Sequence, residues 1–264
     1  MQYAVAKNPV IPVRIAPSEK SEMTNQILFG EFFHILEKKD KWSYISTYPD
    51  IYTGWISNNS NFSSINSEMY HESIKKDIIY THEPITKIYS RDKEKSLYIP
   101  GGSCLSNHNS KNNSCQIAGE IFDVPIENRS NNYSTRDSII AYASSYLGAP
   151  YLWGGKTIFG IDCSGFIQVI YRMAGISLSR DSSEQVKSGS TIGFIEQASP
   201  GDLAFFDNEE GNITHVGIIT RNYQIIHASG SVRKDIIDHQ GIFNRIENTY
   251  THKLRVIKNI IGTS

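Results

Sequence analysis

The stretch GAPYLWGGKTIFGIDCSGF, Gly148–Phe166, crowds glycine onto the approach to Cys163, one of only three cysteines in 264 residues. After it, Cys163, Phe166, Ile167, Ile170 and Ala174 recur at helical spacing until Gly175, which puts the thiol at or just before a helix N-terminus. Before it, Ser134 and Asp137 make a capping-box pattern, and Ile139, Ile140, Ala143, Tyr146 and Leu147 mark the apolar face of another helix that Gly148 and Pro150 end. Further on, DLAFFDN, THVGIIT, YQIIHAS and KLRVIKNII read as strands, with SPGD and RNY as turns. Helices first and a sheet afterwards predict an α+β region.

A thiolate attacks carbonyls far better than a thiol, and free cysteine titrates near 8.5 unless a helix N-terminus or an imidazolium lowers it. Position alone gives Cys163 the helix start. For the imidazole, His215 opens HVGII and His227 lies in IIHAS, each at an edge of an apolar strand. Adjacent antiparallel strands bring such rings together. A nucleophile, a base and a group that orients the base make covalent acyl transfer, and Cys163, His215 and His227 supply the three in that order. Taken singly, each reads more readily as packing: most buried cysteines are inert, and most strand histidines are satisfied, half-buried residues. The conjunction with the glycine-rich approach points to chemistry.

The chain is long enough for two or three domains. From Ile11 to Ile56, VIPVRI, QILFGEFFHILE, KWSYIST and YTGWIS read as the short strands of a small all-β barrel. Residues 57–75, rich in Asn and Ser, read as a loop or linker. A second β-rich stretch follows (DIIYTHEPITKIYS, SLYIPGGSCL, QIAGEIFDVP), and its GEIF (119–122) echoes GEFF (30–33) as a hint of repetition.

Apolar residues make up 39% and charged residues 20%, and no apolar run approaches the roughly 18 to 20 residues that cross a bilayer, so no membrane span is expected. A formal charge of −1, scattered in both directions, gives no electrostatic case for nucleic acid. Three cysteines make no disulfide framework, with at most one pair, Cys104 with Cys115. Neither CxxC nor HExxH occurs, since Ser, Ile and Lys follow His71-Glu72, so neither metal nor cofactor is expected. Residues 1–20 lack signal-peptide character, which predicts a cytoplasmic protein if the chain is complete, and a periplasmic or extracellular one if a signal was removed.

Six motifs in order, YLWGG, DCSGF, RDSSEQ, PGDLAFF, THVGIIT and IIHAS, resemble the NlpC-type cysteine peptidases, papain-like enzymes that cut bacterial cell-wall peptides. The two β regions resemble bacterial SH3-like domains, and the three-part layout is similar to that of γ-D-glutamyl-L-diamino-acid endopeptidases of murein turnover. The resemblance implies SH3-like barrels over 1–62 and 63–130 and a papain-like domain over 131–264. It implies Cys163 as nucleophile, His215 as general base and later acid, His227 as the orienting group, and the Tyr151 hydroxyl in the oxyanion hole with the Cys163 backbone N–H. Gly154 and Gly155 would allow a tight backbone path, and Gly165 a close approach to the helix start. Asp162 and Ser164 would contact the D-glutamyl part, Trp153 would wall it, and Asp181 and Ser182 would line the next subsite. Asp181 suits an N-cap equally well. Glu22 and Tyr52 match positions that select a free amine. The expected partner is a cell-wall peptide, L-Ala-γ-D-Glu-diamino acid, bound by a monomer and cut as a released fragment. The alternatives are an N-acetylmuramoyl-L-alanine amidase and a non-catalytic wall-binding protein.

Overall fold

The structure, a computed structural model, describes residues 2–75, 78–125 and 135–262. Two compact units emerge: Met1–Arg129 with Trp153–Ile158, and Ser130–Leu152 with Phe159–Ser264.

In the first unit, β1 (Gln2–Ala6), β2 (Val10–Arg14), β3 (Met23–Leu28), β4 (Phe32–Lys39), β5 (Trp42–Thr47), β6 (Thr53–Ser57) and β7 (Phe62–Ile65) form one sheet in the order β3-β2-β6-β5-β4-β1-β7. Side chains alternate between its faces with period two. Ala4, Ala6, Phe33 and Ile35 enter a core with Ile11, Val13, Ile27, Ile45 and Ile56. The intervening Val5 and Phe32 turn the other way and join Phe29, Ile65 and Tyr70 in a second cluster.

That second cluster is completed by the next β region, through Ile88, Ile99, Leu105, Ile117 and Phe122. Here β8 (Ile79–Tyr80), β9 (Ile85–Ser90), β10 (Lys95–Pro100), β11 (Cys104–Leu105), β12 (Ser114–Ile117) and β13 (Glu120–Asp123) make a four-stranded sheet, β10-β9-β13-β12, and a β11-β8 ladder. Cys104 and Cys115 are buried thiols in this shared core and form no disulfide.

Residues 57–75 are not a linker. They contain β7, which pairs with β1, and helix α1 (Ser67–Lys75). Asn66 begins the helix by accepting the Met69 N–H through its side-chain oxygen at 2.8 Å, and Tyr70 is buried with its ring stacked on Tyr3, centroids 4.2 Å apart. The polar composition came from exposed positions flanking a few anchors.

The GEFF and GEIF segments adopt similar local structure. Gly30 and Gly119 have φ of +77° and +85°, and the glutamates that follow are buried and ion-paired, Glu31 with Lys156 and Glu120 with Lys7 and Lys93. A short strand, β14 (Lys156–Thr157), belongs to this unit, and its Lys156 N–H donates to Gln26 Oε1 at 2.7 Å. Gly154 explains the glycine there: φ is +76°, and a Cβ would stand 2.5 Å from the Met23 carbonyl oxygen.

The second unit begins with α2 (Thr135–Ser145); Ser134 of the expected capping box lies outside the described residues. Its buried residues are Ile139, Tyr142 and Ala143, followed by Tyr146, whereas Leu147 is 43% exposed. The apolar stripe therefore runs through Tyr142 in place of Ile140 and Leu147. After the short β15 (Gly160–Ile161) comes α3 (Cys163–Met173), which is buried on all sides, not on one face as its spacing suggests, and then α4 (Ser182–Gln185).

A seven-stranded sheet follows, formed by β16 (Ser190–Ile192), β17 (Leu203–Asp207), β18 (Ile213–Thr220), β19 (Gln224–Ser229), β20 (Ser231–Ile237), β21 (Gly241–Asn244) and β22 (Thr249–Asn259). Its order is β16-β22-β17-β18-β19-β20-β21, and β21 also pairs with β22, so six strands close into a ring with β16 outside it.

Candidate active site

Cys163 is the first residue of α3, 7% exposed. Asp162 caps that helix, its Oδ1 accepting the Gly165 N–H at 2.7 Å. A buried carboxylate requires a cation, and Arg180 supplies it: the guanidinium grips both Asp162 oxygens and donates to Ser164 Oγ at 2.8 Å. Gln185 completes the lattice, its amide donating to the carbonyls of Ser164 at 2.9 Å and Ser179 at 2.8 Å. The two residues flanking the thiol thus hold the helix start in place. Sequence reasoning quoted Arg180 within RDSSEQ and gave it no role, although an acid beside a buried thiol was the signal for one.

Strand β18 passes over the thiol. The Thr214 carbonyl oxygen is 4.0 Å from Cys163 Sγ, and the Val216 N–H also reaches the sulfur, so the chain on either side of His215 touches the nucleophile. Next to it, β19 pairs with Gly217 opposite His227. A Cβ at Gly217 would fall 2.9 Å from His227 Cβ, so glycine admits the second imidazole. His215 Nε2 and His227 Nδ1 are 2.9 Å apart.

A fourth group, absent from the sequence reading, fixes the direction of this chain. His227 Nε2 lies 3.0 Å from Asp235 Oδ2, which also accepts from Arg233 Nε at 2.8 Å. The hydrogen bond from His227 and the Arg233 charge hold the Asp235 carboxyl below its ordinary range, so it only accepts. His227 therefore carries its proton on Nε2 and accepts on Nδ1, and His215 donates from Nε2. The lone pair of His215 is left on Nδ1, the nitrogen that can take the thiol proton. Burial lowers the pKa of both histidines. His252 stacks on His215 with centroids 4.1 Å apart, and burial brings its own pKa down to about 4, so it adds no charge near neutrality.

The thiol does not follow the expectation set by the helix N-terminus. Burial, with the Asp162 charge second, pushes Cys163 up to about 11, against the opposing pull of the Ser164 and Val216 N–H groups and Arg180. The resting pair is thiol and neutral imidazole. Burial and the proximity of Cys163 and Asp162 raise the Tyr151 phenol to about 12, so it stays a proton donor at neutral pH.

Asp181 sits at the N-cap position of α4 and makes no side-chain cap hydrogen bond, while Ser182 is buried in the first turn. Glu22, Tyr52 and Trp153 belong to the first unit. There the Trp153 indole N–H donates to Glu22 Oε1 at 2.7 Å with the ring 60% exposed, and Tyr52 packs half-buried against the core of Ala4, Ile11 and Phe33.

Asp235→Asn should lower kcat about 10- to 100-fold with little change in KM, because an amide offers His227 a donor as readily as an acceptor and releases the tautomer. Steady-state kinetics across pH check this, and an unchanged kcat would remove Asp235 from the relay.

A thiol on a helix start, beside a hydrogen-bonded imidazole relay on adjacent strands, defines a cysteine peptidase site. Residues 148–255 match the NlpC/P60 family, and residues 13–60 match the bacterial dipeptidyl-peptidase Sh3 domain. Residues 148–255 are thus an NlpC/P60 cysteine peptidase domain, with a bacterial SH3 domain ahead of it over residues 13–60. It is 28% identical to the gamma-D-glutamyl-L-lysine dipeptidyl-peptidase of Bacillus subtilis over 77% of this chain and 71% of that one. It is 45% identical to the probable endopeptidase p60 of Listeria monocytogenes over 39% of this chain and 21% of that protein. An NlpC/P60 family protein from Bacillus cereus superposes with a TM-score of 0.80 at 20% identity, covering 98% of this chain and 100% of the other, a likeness of fold.

No helix among the described residues is long and apolar enough to cross a membrane.

Proposed function

We propose that this peptidase hydrolyses the bond between D-glutamate, through its γ-carboxyl, and the diamino acid of L-Ala-γ-D-Glu-diamino acid peptides released from bacterial cell walls. The observation that carries the reading is the similarity to a γ-D-glutamyl-L-lysine dipeptidyl-peptidase across 77% of the chain, more than the catalytic domain alone.

Cys163 gives its proton to His215 Nδ1 as the sulfur attacks the γ-carbonyl carbon. The Tyr151 hydroxyl and the Cys163 backbone N–H receive the developing oxyanion. His215 returns the proton to the departing amine, leaving a thioester. Water then attacks as His215 takes its proton, and L-Ala-D-Glu departs with the thiol restored. Asp162 and Ser164 meet the D-glutamyl part, and Asp181 and Ser182 line the next subsite, where the Asp181 carboxylate suits the free L-Ala amine. The matching turn, buried glutamate and lysine partners of GEFF and GEIF support a second SH3-like module over 63–130.

Incubation with L-Ala-γ-D-Glu-meso-diaminopimelate and with its N-acetylated form, read by mass, tests the reading. Cutting of the free-amine peptide alone is expected. Equal cutting of both would remove amine selection, and cutting of neither, with release from a muramyl peptide of the whole peptide that begins with L-Ala, would replace the assignment with an amidase.

A further inference from the structure

A cavity of about 810 Å³ in the second unit is lined in part by Asp207, Glu209, Thr214, His239, His252 and Lys253. It adjoins the catalytic base by two routes: Thr214 immediately precedes His215, and the His252 ring lies against the His215 ring. The acid that protonates a leaving amine must touch it, so the leaving residue occupies space beside the imidazole and its side chain extends into whatever opens there.

Asp207 is the unusual member of the lining. Its side chain is 6% exposed and Oδ1 finds no hydrogen-bond donor among the described residues. The cation facing it, Arg255, is 65% exposed and its Nε stands 3.6 Å from Oδ2, beyond hydrogen-bond length. A buried carboxylate oxygen left without a donor calls for an explanation, and a bound cation gives one. Lys253, the cross-strand partner of Asp207, lines the same cavity and offers the opposite charge. An L-diamino acid carries the matching pair, a carboxylate and a distal ammonium.

We propose that this cavity receives the leaving diamino acid, with Asp207 and Glu209 taking its distal ammonium and Lys253 its carboxylate. The assignment rests on the peptidase reading above and names the residues that set its preference for a diamino acid.

The test compares L-Ala-γ-D-Glu-L-Lys with L-Ala-γ-D-Glu-L-norleucine, which lacks only the distal ammonium. Wild type should favour the lysine peptide by roughly 10- to 100-fold in kcat/KM, the size of a charge-assisted hydrogen bond. Asp207→Asn should bring that ratio to near one, and Glu209→Gln, at a more exposed position and so a check on folding, should lower it in the same direction. A wild-type ratio near one, or a ratio untouched by both substitutions, overturns the proposal. If wild type cuts neither peptide, the failure belongs to the peptidase assignment, and calorimetric titration with free L-lysine against L-norleucine still decides the cavity: tighter lysine binding that Asp207→Asn abolishes supports it, and equal binding overturns it.

Discussion

Cys163→Ala leaves a folded protein whose hydrolysis of L-Ala-γ-D-Glu-diamino acid falls at least about 10³-fold. The substitution removes the only atom that forms the acyl intermediate and leaves Asp162, Arg180 and Ser164 bonded to one another. Little stability is at stake, because an alanine at the first position of α3 keeps the cap and costs only the packing of one sulfur. Release of dipeptide measured by mass, alongside a thermal melt, separates lost chemistry from lost folding. A variant retaining a tenth of the activity would displace Cys163 as nucleophile. The same sulfur makes a prediction about pH in the resting protein: with its pKa raised to about 11, alkylation by iodoacetamide should quicken as pH climbs toward that value. A rate already at plateau below pH 6 would mean a pre-formed thiolate.

Arg180→Met should destabilise the protein by about 3–5 kcal/mol, the usual cost of removing one partner from a buried ion pair. Arg180 and Asp162 are both almost fully enclosed, so the methionine variant takes the Arg180 cation away from a carboxylate that little water reaches. Without that partner Asp162 is held less firmly against the Gly165 N–H, which loosens the first turn of the helix that carries Cys163. Activity should fall with stability. The double variant Arg180→Met/Asp162→Asn should recover a large part of the loss, because the uncompensated charge is gone. Urea unfolding of wild type, Arg180→Met, Asp162→Asn and the double variant gives the coupling, and an Arg180→Met loss below about 1 kcal/mol would show that solvent reaches the pair.

The parts of this site visible in the sequence were those written locally. Cys163 shows as the start of an apolar helical pattern, and His215 and His227 as polar breaks at the edges of apolar strands. Asp235 was not visible because its role depends on register: β20 pairs His227 with Arg233, and Asp235, two residues on, shares their face. Arg180 was hidden for a related reason, since its partner lies 18 residues away on another element. In the first unit, the Asn- and Ser-rich run concealed β7 and α1 because only Ile65 and Tyr70 are deeply buried in it. The outline of the first sheet was legible because its strands are short and turn residues separate them. The core it shares with the next β region was not, since consecutive apolar residues such as Ala4-Val5-Ala6 and Phe32-Phe33 report that both faces are covered without naming what covers the second.

Closure of the six-stranded ring affects how the site responds to fluctuation. Strands β18 and β19, which carry the two imidazoles, are each hydrogen-bonded along both sides, so neither can peel away without breaking two ladders at once. Their backbone amides should be among the slowest in the molecule to exchange with deuterated water, while β16, joined through β22 alone, should exchange early. Alignment of the relay is thus tied to the global unfolding of the six-stranded ring, and breathing at the periphery leaves the two imidazoles in register.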